Sequence, residues 1–266
     1  MKRFLKIAAI CVAVLIAALV GLFMLLFGGL QEQSAGLSLG AGVEPVYDGF
    51  ATVFILDAGN GQVALIDAGT DTAGAAILEA LGKRNASAEN VAAIFVTHAH
   101  PDHINGLEEL LDATDARVYM HGEEVDYMKQ ISERFKIDVD FMGRRSANFQ
   151  KISDGAEISI GKLPVQFLHT PGHTPGSQCF LVDNRIVSGD TLFIDACGRV
   201  DFPGGNAEQM YYSLTQKLMA LPDDTILFPG HNYAALPHAT IGEQKKTNPY
   251  LRFSSLKQFL AAMGYR

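Results

Sequence analysis

The chain has 266 residues, 48% of them hydrophobic and 19% charged, with a formal net charge of −8. That length allows one large domain or two small ones, with ample apolar content for a core. The acidic balance, with no Lys/Arg cluster, argues against a nucleic-acid-binding protein. Three cysteines, Cys11, Cys179 and Cys197, are too few and too scattered for a disulfide framework.

Lys2, Arg3 and Lys6 precede Ile7–Phe27, a run of 21 residues without a charged or strongly polar side chain. At helical rise it spans roughly 30 Å, the thickness of a bilayer core. A secretory signal has a shorter apolar region, about 7–15 residues, and a small-residue cleavage site. Ser34-Ala35-Gly36 matches such a site only weakly. Residues 1–29 therefore read as an uncleaved signal anchor, a transmembrane helix, with a cleaved signal peptide as the alternative. Basic residues before the run, and Gln31-Glu32-Gln33 after it, put the N-terminus in the cytoplasm. The folded part is then expected outside the cytoplasm: periplasmic in a Gram-negative cell, secreted if the segment is cleaved. Residues 30–42, rich in Gly, Ser and Ala, read as a linker. Residues 43–266 are expected to form the catalytic domain.

Phe50–Leu56 and Gln62–Asp67 are strand-like runs split by a loop containing Asn60-Gly61, a hairpin pattern. Asp67, at a strand end, is either a turn residue or a carboxylate that orients a ligand histidine. Thr72–Lys83 reads as a helix capped by Thr72. Val91–Val96 is a buried strand, Gly106–Leu111 a short helix and Ala116–Met120 another strand. His121 follows with no evident partner and reads as a structural or surface histidine. Glu123–Phe141 is polar and amphipathic, helical to about Ile137, and Gly143–Lys151 is loop. Leu163–His169, Gln178–Val182, Arg185–Ser188 and Thr225–Phe228 are strands. Asn206–Ala220 is a helix with Asn206 as cap. The tail holds a helix near Thr240–Lys246, a break at Asn248-Pro249, and a helix about Ser254–Met263.

The strongest signal is Thr97-His98-Ala99-His100-Pro101-Asp102-His103. Alternate residues of a strand face the same side, so His98 and His100 would present two imidazoles to one point as the strand runs out. Pro101 stops the ladder, and the turn lets Asp102 and His103 face a second point close by. Imidazole and carboxylate are the usual ligands of first-row divalent metals. Three further strand ends carry the same residue types: His173 in a stiff Pro/Gly loop, Asp190, and His231. Loops at strand ends of layered α/β folds are where chemistry collects.

With these positions, the chain resembles the metallo-β-lactamase superfamily. The His-x-His-x-Asp-His pattern, followed by His, Asp and His at increasing distance, matches at His98, His100, Asp102, His103, His173, Asp190 and His231. Within the superfamily it looks like the glyoxalase II and persulfide dioxygenase branch, on His169–Gly176, Ser188–Phe193, Cys197-Gly198-Arg199 and Pro229–Tyr233. The resemblance implies an α/β fold, a four-layer αββα sandwich. It puts His98, His100 and His173 on a first metal, Asp102, His103 and His231 on a second, and Asp190 between them. Asp102 and Asp190 are then the catalytic carboxylates. It further implies Arg199 and Tyr233 as substrate-binding residues; a loop arginine can bond a carboxylate bidentately. Arg199 as an exposed loop residue and Tyr233 as a packed wall are the alternatives. Cys197 reads as packing.

The implied activity is a metal-dependent hydrolase, acting through a metal-bridging hydroxide on a thioester or related ester, like hydroxyacylglutathione hydrolase. Two divalent ions are expected, zinc by default, with iron or manganese also fitting five His and two Asp without a thiolate. The partner is a small molecule. One alternative is a mononuclear iron persulfide dioxygenase using His98, His173 and Asp190; another is a lactonase. A tethered module with a degenerate metal site is the non-enzymatic alternative. True β-lactamases of the superfamily commonly use a Cys near the position of Asp190. Only 35 residues follow His231. This tail resembles those of persulfide dioxygenases and compact glyoxalase II-like hydrolases, not the helical C-terminal domain of full glyoxalase II.

Overall fold

Alternating apolar residues build two six-stranded sheets that pack face to face. A computed structural model describes residues 43–265. The first sheet runs β1 (Val43–Asp48), β2 (Ala51–Gly59), β3 (Gln62–Ile66), β4 (Val91–Phe95), β5 (Arg117–His121), β6 (Phe149–Ile152). Its first two pairings are antiparallel and its last three parallel. The second sheet contains β7 (Glu157–Ile160), β8 (Leu163–His169), β9 (Gln178–Val182), β10 (Arg185–Gly189), β13 (Ile226–Pro229) and β14 (Ala239–Thr240), in the order β14-β13-β10-β9-β8-β7. There β10 and β13 are parallel and the other pairs antiparallel. A ribbon of β11 (Leu192–Phe193) and β12 (Ala196–Cys197) stands apart.

Side chains alternate across each strand, so one strand feeds two apolar layers. Phe54, Leu56 and Phe95 point between the sheets and meet Phe167, Phe180 and Phe228. Phe95 lies 5.5 Å from Phe167 and 5.6 Å from Phe180 between ring centroids. Truncating this buried ring to alanine should cost about 3–5 kcal/mol. Val53, Ile55, Leu65 and Ile94 point the other way, onto α1 (Ala75–Lys83), α3 (Leu107–Ala113), α4 (Gly122–Phe135) and α5 (Asp140–Arg144), through Ile77, Leu81, Leu110, Met128 and Phe141. On the far side, Cys179, Ile186 and Leu227 pack on Met210 of α6 (Ala207–Tyr212), Ile241 of α7 (Ile241–Thr247) and Phe259 of α8 (Leu256–Ala262). The result is the αββα sandwich that the resemblance implied.

Several expectations need correction. Thr72 does not cap α1: the cap position is Gly74, which has no side chain, and Asp71 accepts from Ala73 N at 3.0 Å and Ala75 N at 2.9 Å in the turn before it. The loop at Gly143–Lys151 contains the start of β6, a polar edge strand whose exposed Gln150 and Lys151 carry no apolar alternation to betray it. The helix over Asn206–Ala220 begins as expected, with Asn206 accepting from Gln209 N. It then widens to a π turn at Ser213–Lys217 and tightens at Leu218–Ala220. There Thr215 Oγ1 donates to Tyr211 O at 2.7 Å, a local bond that competes with the helical ladder. His98 and His100 are not on a strand: β4 stops at Phe95 because Thr97 N donates to Asp67 Oδ1, at 2.7 Å, and not to a neighbouring strand. The segment expected to anchor the chain, Ile7–Phe27, lies outside the described residues. Among those described, no helix is long and apolar enough to cross a membrane.

Candidate metal centre

All seven expected ligands meet at one edge of the sandwich, where β4, β8, β10 and β13 end. His98 and His100 sit in the loop after β4. Pro101 then opens a one-turn helix, α2 (Pro101–Ile104), which carries Asp102 and His103. His173 lies in the loop after β8, Asp190 directly after β10, and His231 two residues after β13. Backbone bonds lock these loops together: Gln178 N donates to Thr97 O at 3.0 Å, Ala68 N to His103 O at 2.7 Å, Gly230 N to Gly189 O at 2.9 Å and Thr52 N to Gly230 O at 2.8 Å. The register of β10 against β13 shifts between Val187 and Gly189. That bulge, with Gly189 at φ +49°, re-aims the chain so that Asp190 enters the centre.

The ligands form two trios. His98, His100 and His173 offer atoms within 4.8 Å of one another, and so do Asp102, His103 and His231. Asp190 lies between them. Its Oδ2 is 3.6 Å from His173 Nε2, and its Oδ1 is 3.4 Å from both His103 Nε2 and His231 Nε2. Asp102 Oδ2 is 3.2 Å from His231 Nε2.

The chemistry of this donor set fits cations. Each imidazole has its outer nitrogen engaged by the protein. His173 Nδ1 donates to Arg199 O at 2.7 Å, His231 Nδ1 to Phe50 O at 2.9 Å and His103 Nδ1 to Asp67 Oδ2 at 2.8 Å. His98 Nδ1 meets Thr97 Oγ1 and His100 Nε2 meets Tyr127 Oη, each at 3.1 Å. A carbonyl or carboxylate can only accept, so each of those three rings, when neutral, turns its unprotonated nitrogen inward. Inside the cluster, His173 Nε2 faces His100 Nδ1 at 2.9 Å and His103 Nε2 faces His231 Nε2 at 3.2 Å. The buried His98 Nε2 has no hydrogen-bond partner. Inward lone pairs with outward N–H anchors are the arrangement of metal-bound histidines.

Electrostatics separate the two trios. Burial, together with the neighbouring imidazoles, pushes His98 well below the usual histidine range and His100 down to about 3. Burial also presses on His103 and His231. The carboxylates outweigh it, Asp67 and Asp190 raising His103 well above its ordinary value and Asp190 and Asp102 raising His231 to about 9. Burial favours the neutral Asp102 carboxyl, yet His231 and His103 bring it down to about 2.

Two buried carboxylates hold this geometry from behind. Asp67, at φ +65°, takes Thr97 N, Thr97 Oγ1 and His103 Nδ1. It is the orienting carboxylate of the two readings open at that position. Glu124, in the first turn of α4, accepts from Ala99 N at 2.6 Å, Thr174 Oγ1 at 2.8 Å and Gly176 N at 2.8 Å. It ties the His98–His100 loop to the His173 loop. Burial raises its carboxyl to about 7 against those three hydrogen bonds. Sequence reasoning missed Glu124, which next to Glu123 looks like any acid at a helix N-terminus; no local signal sets it apart.

A pocket of about 650 Å³ opens onto Asp102, Asp190, His100, His173 and His231, with Phe50, Phe135, Phe193, Phe202 and Tyr233 as walls. Tyr233 stacks on His231, with centroids 5.4 Å apart and planes at 17°. Arg199 lines the pocket, but its guanidinium fork is bonded to Asp201, with Nε to Oδ1 at 2.6 Å and Nη2 to Oδ2 at 2.7 Å. This pair is exposed to solvent, and the two readings of Arg199, substrate residue and exposed loop arginine, both stand. Cys197 is a wall residue whose thiol burial pushes up to about 12, in keeping with packing.

His121 has a partner after all. Its ring lies parallel to His169, 3.8 Å away at 11°, with Glu123 nearby. Parallel rings aim their in-plane lone pairs side by side and not at a shared point, which makes this a packing pair joining the ends of β5 and β8.

A profile described as the Metallo-beta-lactamase superfamily matches residues 46–231. Among curated proteins, the chain is 33% identical over 225 residues to a "Beta-lactamase hydrolase-like protein" of Agrobacterium fabrum, covering 82% of this chain. The match spans only 48% of that relative's length. It is 31% identical to the human mitochondrial "Persulfide dioxygenase ETHE1", over 83% of this chain and 78% of that protein. Among solved structures, ETHE1 from Myxococcus xanthus superposes with a TM-score of 0.69 at 29% identity, covering 84% of this chain and 89% of that one.

Proposed function

The chain belongs to the metallo-beta-lactamase superfamily, and on that premise we propose that it is a metal-dependent hydrolase of a thioester or related ester. The observation that carries the reading is the pair of complete ligand trios joined by one carboxylate, Asp190. His98, His100 and His173 would hold one divalent cation, Asp102, His103 and His231 a second, and Asp190 both. Cations held there would make a water acidic enough to ionise near neutral pH and draw charge off a carbonyl oxygen. The donor set of five imidazoles and two carboxylates suits zinc, iron or manganese.

The chain's own residues supply the rest. Asp190 stays ionised, because His231 and His103 hold its carboxyl well below the usual range against burial. Asp102, ionised above about pH 2, serves as a ligand and not as a proton donor. The Phe50, Phe193 and Tyr233 rings flank His231 and fix where its ring lies. No serine or cysteine nucleophile is needed, and the Cys197 thiol is held protonated.

A second reading, a mononuclear iron dioxygenase of persulfides, is favoured by the likeness to the two ETHE1 proteins. It would use His98, His173 and Asp190 as two imidazoles and one carboxylate, with open positions. Metal analysis of the purified protein, followed by a panel of thioester, lactone and glutathione persulfide with an oxygen electrode, separates the two. Two metals per chain, thioester turnover and no oxygen uptake support the hydrolase. One iron with oxygen uptake on the persulfide overturns it. We also propose, from the apolar run Ile7–Phe27 alone, that this chemistry is tethered to a membrane and faces away from the cytoplasm. Recovery of the full-length protein in the soluble fraction of lysed cells would overturn that.

A further inference from the structure

His121 and His169 lie outside the metal centre, yet they are tied to both loops that carry its first trio. His121 is the N-cap of α4: its Nδ1 accepts from Glu123 N at 3.3 Å. The same first turn carries Glu124, which holds Ala99 N, Thr174 Oγ1 and Gly176 N. His169 opens the His173 loop, and its Nε2 donates to Pro175 O of that loop at 2.9 Å. The two rings stack 3.8 Å apart, so the start of α4 and the His173 loop are pinned at one point. The contact between them leaves no slack. A Cβ on Gly176 would lie 2.4 Å from Glu124 N and 2.6 Å from Glu124 Cβ.

The bonding of His121 makes this joint sensitive to acid. A neutral ring that accepts at Nδ1 carries its proton on Nε2, so a second proton can add only at the capping atom. Charging His121 therefore removes the cap and places a cation at a helix N-terminus. It also sets that charge against the stacked His169 ring. His169 keeps its bond to Pro175 O in either charge state, so His121 is the ring at which the joint opens. Around the pair stand Glu123 on α4, Asp154 before β7 and Lys217 on the π turn. The Lys151 side chain of β6 runs beside Gly122. Asp154 accepts from His169 N at 2.8 Å and from Lys217 Nζ at 2.7 Å, which fixes the His169 side and leaves the α4 side to give way. Burial and the His169 ring hold His121 below the usual histidine range, against Glu123 and Asp154. The unfolded chain thus takes up this proton before the native one does. The joint's contribution is complete above about pH 6.5 and is lost as pH falls through the lower native value.

We propose that the stacked pair is an acid-sensitive latch on the first half of the metal centre: with His121 neutral it keeps the His98–His100 and His173 loops in register, and a proton on His121 releases them and weakens their hold on a cation. The inference rests on those histidines being metal ligands and not on the reaction catalysed, so metal release and proton binding test it whichever substrate is turned over.

The full chain is loaded with zinc, and release to a chelator is followed from about pH 7.5 down to about pH 5.5, the range in which histidine changes charge. The first-half equivalent is the one that Asp67→Ala weakens less. Its release speeds up in every form, because the ligand imidazoles themselves take up protons. In the parent it should speed up about three- to tenfold more than in His121→Asn, the equivalent of half to one unit of differential proton binding. Asn keeps a good cap but cannot charge. His238→Asn, which removes a histidine at the opposite edge of the second sheet, should match the parent. A second reading uses histidine-labelled chelated protein in NMR, with the His121 signal assigned by its loss in His121→Asn. Its titration midpoint should rise in His169→Gln, whose amide still donates to Pro175 O but leaves no ring for the charge to face. Equal acceleration in the parent and His121→Asn overturns the proposal. So does an excess shared equally by both metal equivalents, or a His121 midpoint that His169→Gln does not move.

Discussion

The two halves of the centre are built from nearly the same residues and braced in opposite ways. Behind His98, His100 and His173 stands Glu124, which bonds only to backbone N–H groups and a threonine hydroxyl. Behind His103 stands Asp67, which bonds to the imidazole itself. Glu124 therefore sets where the first trio's loops lie but places no charge on a ligand. Asp67 sets position and also makes His103 a more basic donor. The first trio is left as buried, neutral imidazoles, and the second is surrounded by carboxylates. One half is held by geometry and the other by geometry and charge, so removing each brace should have a different signature.

Asp190 belongs to both halves, and losing it should abolish the difference by disabling the pair. Asp190→Ala is expected to lose metal and catalytic activity together, by three orders of magnitude or more in rate if one shared ligand holds both ions. Full metal content with retained turnover would contradict the assignment. Gly230→Ala comes next. A Cβ there would lie 2.8 Å from Asp190 Oδ1 and 2.9 Å from His103 Cε1, pushing on the junction without removing a ligand. Metal should still bind, with a rate loss of about 10²-fold expected from a displacement of this kind.

Asp67→Ala tests the asymmetry directly. It should weaken the His103 equivalent by about 10–100-fold, the usual effect of losing a carboxylate behind a ligand histidine, and the other by less, because Asp67 reaches His98 only through Thr97 Oγ1. Competition with a chelator, read as two separate release steps, measures this. Glu124→Ala should behave differently, lowering stability by about 1–3 kcal/mol for each buried donor left without a partner. The metal equivalent of the first trio should weaken with it, because the loops carrying His98, His100 and His173 lose their tie, and a urea titration reads the stability loss.

Glu124→Gln isolates the smallest effect. Burial raises the Glu124 carboxyl from an ordinary value of 4.5 to about 7. Between those values the native protein holds a proton that the unfolded chain has released, so stability falls as pH rises through that window. The substitution should flatten that part of the urea-midpoint profile, measured on the chelated protein with the parent as reference. An unchanged slope would show that Glu124 does not titrate there.

Much of the centre was legible locally. His98, His100, Asp102 and His103 are close in sequence, and the strands ahead of His173, Asp190 and His231 show in their apolar runs. What failed were statements about conformation. His98 and His100 were expected on a strand, yet Asp67, thirty residues earlier, takes the Thr97 N–H and ends the ladder. The pairing of Arg199 with Asp201, two residues on, was not foreseen at all. The edge strand β6 is polar and pairs in parallel with β5, so neither alternation nor a hairpin turn announced it.

The sequence by itself determined the ligand types, their order and the alternation that makes two sheets, because these depend on residue chemistry and on the two-residue period of a strand. Only the tertiary structure decided which carboxylate stands behind which loop, which cation is already paired, and that five aromatic rings surround one opening. Those facts depend on groups brought together from strand ends scattered along the chain. Their separation in sequence bears no relation to their distance in space until the sheets have packed.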